Sequence, residues 1–236
     1  MGRHEPHSDS LEVQFAQKAM KERMSLHERT HWEERYAQGF LPWDSGITPP
    51  EIEAFWQSGR LAPSQLAVAL GTLPIAIDLG CGTGTNLAFL ARQGMHAIGV
   101  ELAGNALEVA RARLRQRAPE LLVQIDLIQG SVMELPLGKA HAHYIMDVGC
   151  FHAMPLAGRP LYAQGVIRNL APGGYYQLYA FDWMPERAND PNKSPRGMRE
   201  NEVEELFTPH LDVVEILRAT ANPKPCRWYL LRKKAD

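Results

Sequence analysis

The sequence predicts an α/β protein: a doubly wound, mostly parallel seven-stranded sheet with helices on both faces, preceded by an N-terminal helical arm. Three observations predict it. From Ile75 onward, short apolar runs alternate with helix-patterned segments, the order that yields a parallel sheet. The first run ends in an acid and a glycine turn, Asp78-Leu79-Gly80-Cys81-Gly82-Thr83-Gly84, which reads as strand, tight turn and helix N-terminus. The length, 236 residues with 45% hydrophobic, suits one domain with terminal additions and a sizeable core.

The elements follow in order. Residues 1–10 are polar and carry no element. Leu11 to about His31 has apolar residues at helical spacing (Leu11, Phe15, Ala19, Met20, Met24) and reads as an arm or a lid. We therefore divide the chain into a tail and helix, 1–30, and a domain, 31–236. No element is assigned between Gly46 and Ile75. Strands are expected at Ile75–Leu79, Ala97–Glu101, Leu122–Ile128, His143–Asp147, Tyr175–Phe181, Val213–Leu217 and Arg227–Leu231. Helices are expected at Thr85–Gln93, at Asn105–Arg117 ended by Pro119, at Arg159–Leu170 ended by Pro172-Gly173-Gly174, and at Glu200–Phe207. Pro185 to Arg199, rich in charge, Pro, Asn and Gly, reads as a mobile loop able to cover a pocket.

Composition narrows the function. A net charge of -2 offers no basic surface for nucleic acid. No apolar run approaches the ~20 residues that span a bilayer, and the N-terminus has no apolar signal core. Three cysteines (Cys81, Cys150, Cys226) form neither a paired framework nor a metal spacing, which fits a reducing, cytoplasmic compartment. His27-Glu28-Arg29-Thr30-His31 matches the H-E-x-x-H zinc pattern, but it lies in a charged segment ahead of a complete binding domain. A solvated helix face is the better reading, and no metal is expected. Oligomeric state, monomer or homodimer, is left open.

The glycine spacing separates cofactor classes. A dinucleotide site uses Gly-x-Gly-x-x-Gly, whereas here Gly80-x-Gly82-x-Gly84 is followed by Thr85. The turn resembles motif I of the class I S-adenosylmethionine (SAM)-dependent methyltransferases, a Rossmann-like fold whose cofactor has no diphosphate. The resemblance implies that Asp78 sits near the positive methionine end, with Gly80, Cys81, Gly82, Gly84 and Asn86 around the cofactor. At the end of the second strand, Glu101 followed by Leu102 has the place of the carboxylate that accepts both ribose hydroxyls. At the end of the third, Ser131 stands where many class I enzymes carry Asp for the adenine amino group, with Val132 and Met133 beside the ring. Asp147-Val148 at the end of the fourth has the motif IV position, beside the reactive methyl.

Further segments sharpen the likeness. Trp32-x-x-x-Tyr36 followed by Gly39 and Pro42-Trp43-Asp44-x-Gly46, together with Asp147-x-Gly-x-Phe151-His152-x-x-Pro155, Arg159-x-x-Tyr162 and Trp228-Tyr229-Leu230-Leu231-Arg232, resemble the thiopurine, thiol/halide and tellurite-type methyltransferases. The implied reaction is methyl transfer from SAM to a small-molecule acceptor, first of all a soft nucleophile such as a thiol, halide, thiocyanate or chalcogen. Aromatic faces at Tyr36 and Trp43 suit a sulfonium and an adenine. Val148 departs from the Asp-Arg-Gly of thiopurine methyltransferases, and Arg159 is the available substitute cation. A thiol needs little base catalysis; an oxygen or nitrogen acceptor would need a base, for which His152 and Asp182 are the candidates. Phe151, Phe181 and Trp183 are candidate substrate walls. A SAM-binding module without activity is a further alternative.

Overall fold

The computed structural model describes residues 26–39, 41–138, 141–188, 194–219 and 224–235. The tail, the arm helix up to residue 25, Phe40 and the centre of the 185–199 loop lie outside the described residues. The chain folds in the order α1 (26–37), α2 (Pro50–Gln57), α3 (Pro63–Leu70), β1 (Ile75–Leu79), α4 (Thr85–Arg92), β2 (His96–Glu101), α5 (Gly104–Arg117), β3 (Ile125–Gln129), β4 (Ala142–Val148), α6 (Arg159–Asn169), β5 (Leu170–Phe181), α7 (Pro185–Ala188), α8 (Glu202–Phe207), β6 (Leu211–Ala219) and β7 (Cys226–Lys233).

The seven strands form one sheet in the order β3-β2-β1-β4-β5-β7-β6. The first five run parallel; β7 inserts antiparallel between β5 and β6. Alternation along β1 divides its side chains between two cores. Ile77 and Leu79 pack with Tyr162, Val166 and Phe207 of α6 and α8, while Ala76 packs with Phe55, Leu87 and Leu107 of α2, α4 and α5. Chain order reverses between β1 and β4, so the loops after β1 and β4 splay to opposite faces and open a crevice at their carboxyl ends. No helix among the described residues is long and apolar enough to cross a membrane.

The structure differs from the sequence reading in four places. Residues 50–70 hold two helices that were not assigned, each opened by a proline at its first turn. α2 buries Ile52, Phe55 and Trp56, and Phe55 stacks on Tyr144 with ring centroids 4.9 Å apart. The third strand starts at Ile125, because Ala97 of β2 pairs with Ile125 and nothing stands opposite Leu122 to Gln124; these form a 3-10 turn with Val123 exposed. β5 runs straight through Pro172-Gly173-Gly174: Leu170 pairs with Ala142 and Tyr175 with Tyr144, and the register shift between them takes up the extra residues as a bulge. A Cβ on Gly174 would stand 3.0 Å from the Ala142 carbonyl, so the bulge needs glycine there. Finally, α1 extends well past His31 and is continuous across residues 30 and 31.

Candidate active site

A cavity of about 1150 Å³ fills the crevice. Its floor follows from the glycine turn. Gly80 and Cys81 donate their N–H groups to the Val100 carbonyl at 2.8 and 3.1 Å, which folds the turn onto the end of β2. Gly82 N–H and Ala103 N–H donate to the two Glu101 carboxylate oxygens at 3.0 and 2.9 Å. The Leu102 N–H adds a third backbone bond to this carboxylate, and Glu101 lines the cavity with Leu102, Ser131, Val132 and Met133. Ser131 Oγ also caps the short 3-10 turn that follows, accepting from Met133 N–H at 3.2 Å.

The three glycines take positive φ angles of 70°, 52° and 79°. Sequence logic leaves their missing Cβ space to a ligand; the fold gives it to the protein. A Cβ on Gly80 would lie 2.8 Å from Cys150 Cβ, one on Gly82 2.9 Å from the Tyr36 hydroxyl, and one on Gly84 3.1 Å from Ala110 Cβ.

Beneath the turn lies a dry cluster of carboxylates. Asp78 is 2% exposed, and its Oδ2 has no hydrogen-bond partner among the described residues. Burial, then the negative charges of Asp147 and Glu101, push its pKa up to about 8; a hydrogen bond from Asn86 opposes them. Asp147 is fully buried and faces inward, accepting Tyr162 O–H at 2.6 Å, Cys150 N–H at 2.7 Å and Phe151 N–H at 2.9 Å. Burial raises its pKa to about 7 against those bonds.

The roof is one face of α1 and the Pro42-Trp43-Asp44 turn. Glu28, His31, Trp32, Arg35 and Tyr36 line the cavity at the i, i+3, i+4, i+7, i+8 spacing of a single helical face. Trp43 meets Trp32 and Tyr36 edge-on at 5.6 and 6.0 Å, and Arg35 lies over Trp43 at 4.9 Å. The roof is fastened rather than loose. Asp44 accepts Thr83 O–H at 2.9 Å and Arg113 Nη1–H at 2.8 Å, while the Glu33 carbonyl accepts Asn105 Nδ2–H at 2.8 Å.

The far wall comes from the ends of β4, β5 and β7: His152, Ala153, Met154, Tyr179, Phe181 and Trp228. His152 stacks on Phe181 at 4.7 Å, and the Phe181 N–H donates to its Nδ1 at 2.8 Å. The proton of the neutral ring therefore sits on Nε2, and the ring is a hydrogen-bond donor. Burial, Arg159 and Lys224 push its pKa down to about 3. Arg187 and Lys224 add cationic edges to this wall.

Several residues expected at the site stand elsewhere. Asp78, Asp147, Asn86, Cys81, Gly82 and Gly84 are outside the cavity lining. Phe151 and Arg159 are fully buried. The Arg159 guanidinium lies over the Phe151 ring and ion-pairs with Glu202 at 2.6 Å, so neither reaches an acceptor. Asp182 is spent on Arg227 Nε at 2.6 Å, outside the cavity lining, and Trp183 is likewise outside it. Asp182 is thus engaged by Arg227, and His152 meets the cavity as a ring whose Nδ1 is already bonded. The 185–199 segment is not a loose cover at its described ends: α7 occupies 185–188, while Arg196 and Gly197 donate N–H groups to the His152 carbonyl at 2.9 and 3.1 Å. Sequence reasoning missed Glu28, His31 and Arg35. His27 is exposed while Glu28 is buried, so the solvated-face reading holds for one and not the other. The available signal was the shared helical face leading to Trp32 and Tyr36.

Comparison with known proteins accounts for this geometry. Residues 76–174 match the model of a family described as a methyltransferase domain. Thiopurine S-methyltransferase of Bordetella petrii is 25% identical, over 79% of this chain and 84% of its own. Residues 76–174 thus form a methyltransferase domain, and the chain is similar to the class I SAM-dependent methyltransferases. This methyltransferase is also similar to 2-heptyl-1-hydroxyquinolin-4(1H)-one methyltransferase of Mycobacteroides abscessus, 26% identical over 74% of this chain and 70% of that one. Among solved structures, 1,6-didemethyltoxoflavin-N1-methyltransferase of Burkholderia thailandensis shares the fold with TM-score 0.61 and 20% identity, over 99% of this chain and 93% of its own. SAM, the cofactor of this enzyme, is a cation at sulfur. The unpartnered Asp78 oxygen and the buried carboxylates around it fit that charge.

Proposed function

We propose that this enzyme methylates a small, flat acceptor through a soft, readily ionised atom, a thiol in the first instance and otherwise a chalcogen, halide or thiocyanate. One observation carries the reading: the far wall combines aromatic faces with cationic edges, while its histidine is a donor rather than a base. Tyr179, Phe181 and Trp228 suit a planar ring. Arg35, Arg187 and Lys224 favour the anionic form of an acceptor thiol, whose ordinary pKa is ~8.5. His152 Nε2–H is available to hold an acceptor or ring heteroatom. Two relatives that this chain resembles are named for heteroaromatic acceptors, a quinolinone and a thiopurine, which agrees with a flat pocket.

Roles on the cofactor side are part of the same proposal. Glu101 would take the ribose hydroxyls, and Leu102, Ser131, Val132 and Met133 would border the adenine. Gly80, Tyr36, Trp43 and Val148 would surround the methionine end, with Asp78 compensating its charge from behind the wall. When bound, SAM supplies an electrophilic methyl group. The protein's own contribution is alignment and exclusion of water, since neutralising an anionic nucleophile is favoured in a dry pocket.

The test is release of S-adenosylhomocysteine when purified protein meets SAM and an acceptor panel. The panel holds alkyl and aryl thiols, sulfide, iodide, thiocyanate, tellurite, phenols and amines. Turnover on the soft acceptors is expected; turnover confined to phenols or amines overturns the reading.

A further inference from the structure

The geometry points to Glu28, on the arm helix, as the group that takes the proton from a protonated acceptor. The inference rests on the reading of the cavity as a methyl-transfer site. Among the described residues, three carboxylates line that cavity: Glu28, Glu51 and Glu101. Glu101 is bound by the backbone amides of Gly82, Ala103 and Leu102. Glu51 is half-buried in the first turn of α2, at a rim shared with a neighbouring hollow. Glu28 is 6% exposed and sits against the acceptor wall. Its Oε1 stands 3.9 Å from Arg196 Nη2, and Arg196 in turn donates to the Ala153 carbonyl through Nη1 and to the His152 carbonyl through its backbone N–H. The Trp32 side chain hydrogen-bonds to the same carboxylate. Glu28 and Cys150, the residue that covers the glycine turn, both line the cavity.

The groups around Glu28 set its basicity. Burial raises its pKa from the ordinary 4.5, and Arg196, His27 and the Trp32 bond oppose that rise. A carboxylate moved toward neutrality is better matched to accepting a proton near pH 7 than an exposed one. The step balances simply. Glu28 accepts the proton of the acceptor's X–H bond as X bonds to the methyl carbon. The electron pair of the broken S–CH₃ bond stays on sulfur, and the proton passes from Glu28 to solvent as product leaves. An acceptor already ionised skips the first transfer.

That last point supplies the experiment. Wild type and Glu28→Gln are compared on two acceptor pairs: an alkyl thiol against an acidic nitroaryl thiol, and phenol against nitrophenol. Glu28→Gln should lower kcat/KM on the protonated member of each pair by on the order of 10²-fold. The ionised member should change by no more than about threefold, and SAM affinity should hold. The acid limb of the pH profile on the alkyl thiol should move upward in the variant, to the pKa of the thiol itself. Equal losses on both members, or no loss on either, would overturn the assignment; the first outcome makes Glu28 a packing residue, the second removes it from the reaction. Turnover by wild type on the phenols alone would sink the thiol reading while leaving the Glu28 contrast to be read on phenol and nitrophenol. No wild-type turnover on any acceptor overturns both.

Discussion

At the scale of single residues, Asp78 shows how a fold changes an amino acid's chemistry. An unfolded aspartate titrates near 3.8, whereas Asp78 in its buried cluster holds a proton up to about 8. Between those values the folded protein binds the extra proton. Its contribution to stability is therefore full at low pH and falls as pH rises through that window. A bound sulfonium has the opposite preference, since it favours the ionised carboxylate. SAM binding should then expel a proton and tighten as pH rises from about 6 to 8, by up to about tenfold per pH unit for one proton. Titration calorimetry in buffers of different ionisation enthalpy measures both the affinity and the proton count. Asp78→Asn should flatten the slope; a slope that survives the substitution assigns the linkage to another group. Sequence placed this acid at a strand end before the glycine turn. It did not show that Asp147 and Glu101 would share its dry environment, because that depends on three strand ends meeting.

Among elements, the wall behind His152 depends on a clamp between α6 and α8. Arg159 donates to Glu202 at 2.6 Å and to the Gly197 carbonyl at 2.8 Å, fully buried. Removing one partner strands a charge in the core. Arg159→Met should cost about 3–5 kcal/mol, and the paired change Arg159→Met with Glu202→Leu distinctly less. Urea unfolding of the two variants reads the difference; equal losses would mean that packing rather than charge governs the clamp. Arg159 was expected near the acceptor because its helix follows motif IV closely. The helix indeed starts there, but its first turn points into the core, a direction that linear order does not carry. Elsewhere, regular alternation made β1, β2 and β4 readable to within a residue or two. β3 and β5 were misjudged at their starts, where partner register and a bulge, both non-local, set the boundary.

At the scale of the whole molecule, the proposed cofactor residues come from both halves of the chain, so SAM binding should be visible as global stabilisation. At about one hundred times its Kd, SAM adds about 2.7 kcal/mol. For a domain of this size that is a rise in melting temperature of about 5–10 °C, measured by thermal unfolding. Glu101→Ala should weaken SAM at least about tenfold, given the strength of charged hydrogen bonds, and shrink the shift at fixed ligand concentration. A full shift in that variant would reduce Glu101 to an anchor for the Gly82 and Ala103 amides.

The sequence by itself determined the layer order, the cofactor class and the strand ends that meet at the crevice. Those features are local: a glycine turn, a strand-end acid and a repeated alternation each act within a few residues of themselves. Only the tertiary structure decided which side chains line the cavity. Glu28, His31 and Arg35 reach the cavity because α1 docks on α5 through Glu33 and Asn105. His152 is a donor because the end of β5 supplies it with an N–H. Asp182 is lost to the site because β7 brings Arg227 beside it. Each outcome turns on a contact between residues distant in sequence, where burial and hydrogen-bond competition, not spacing, select the partner.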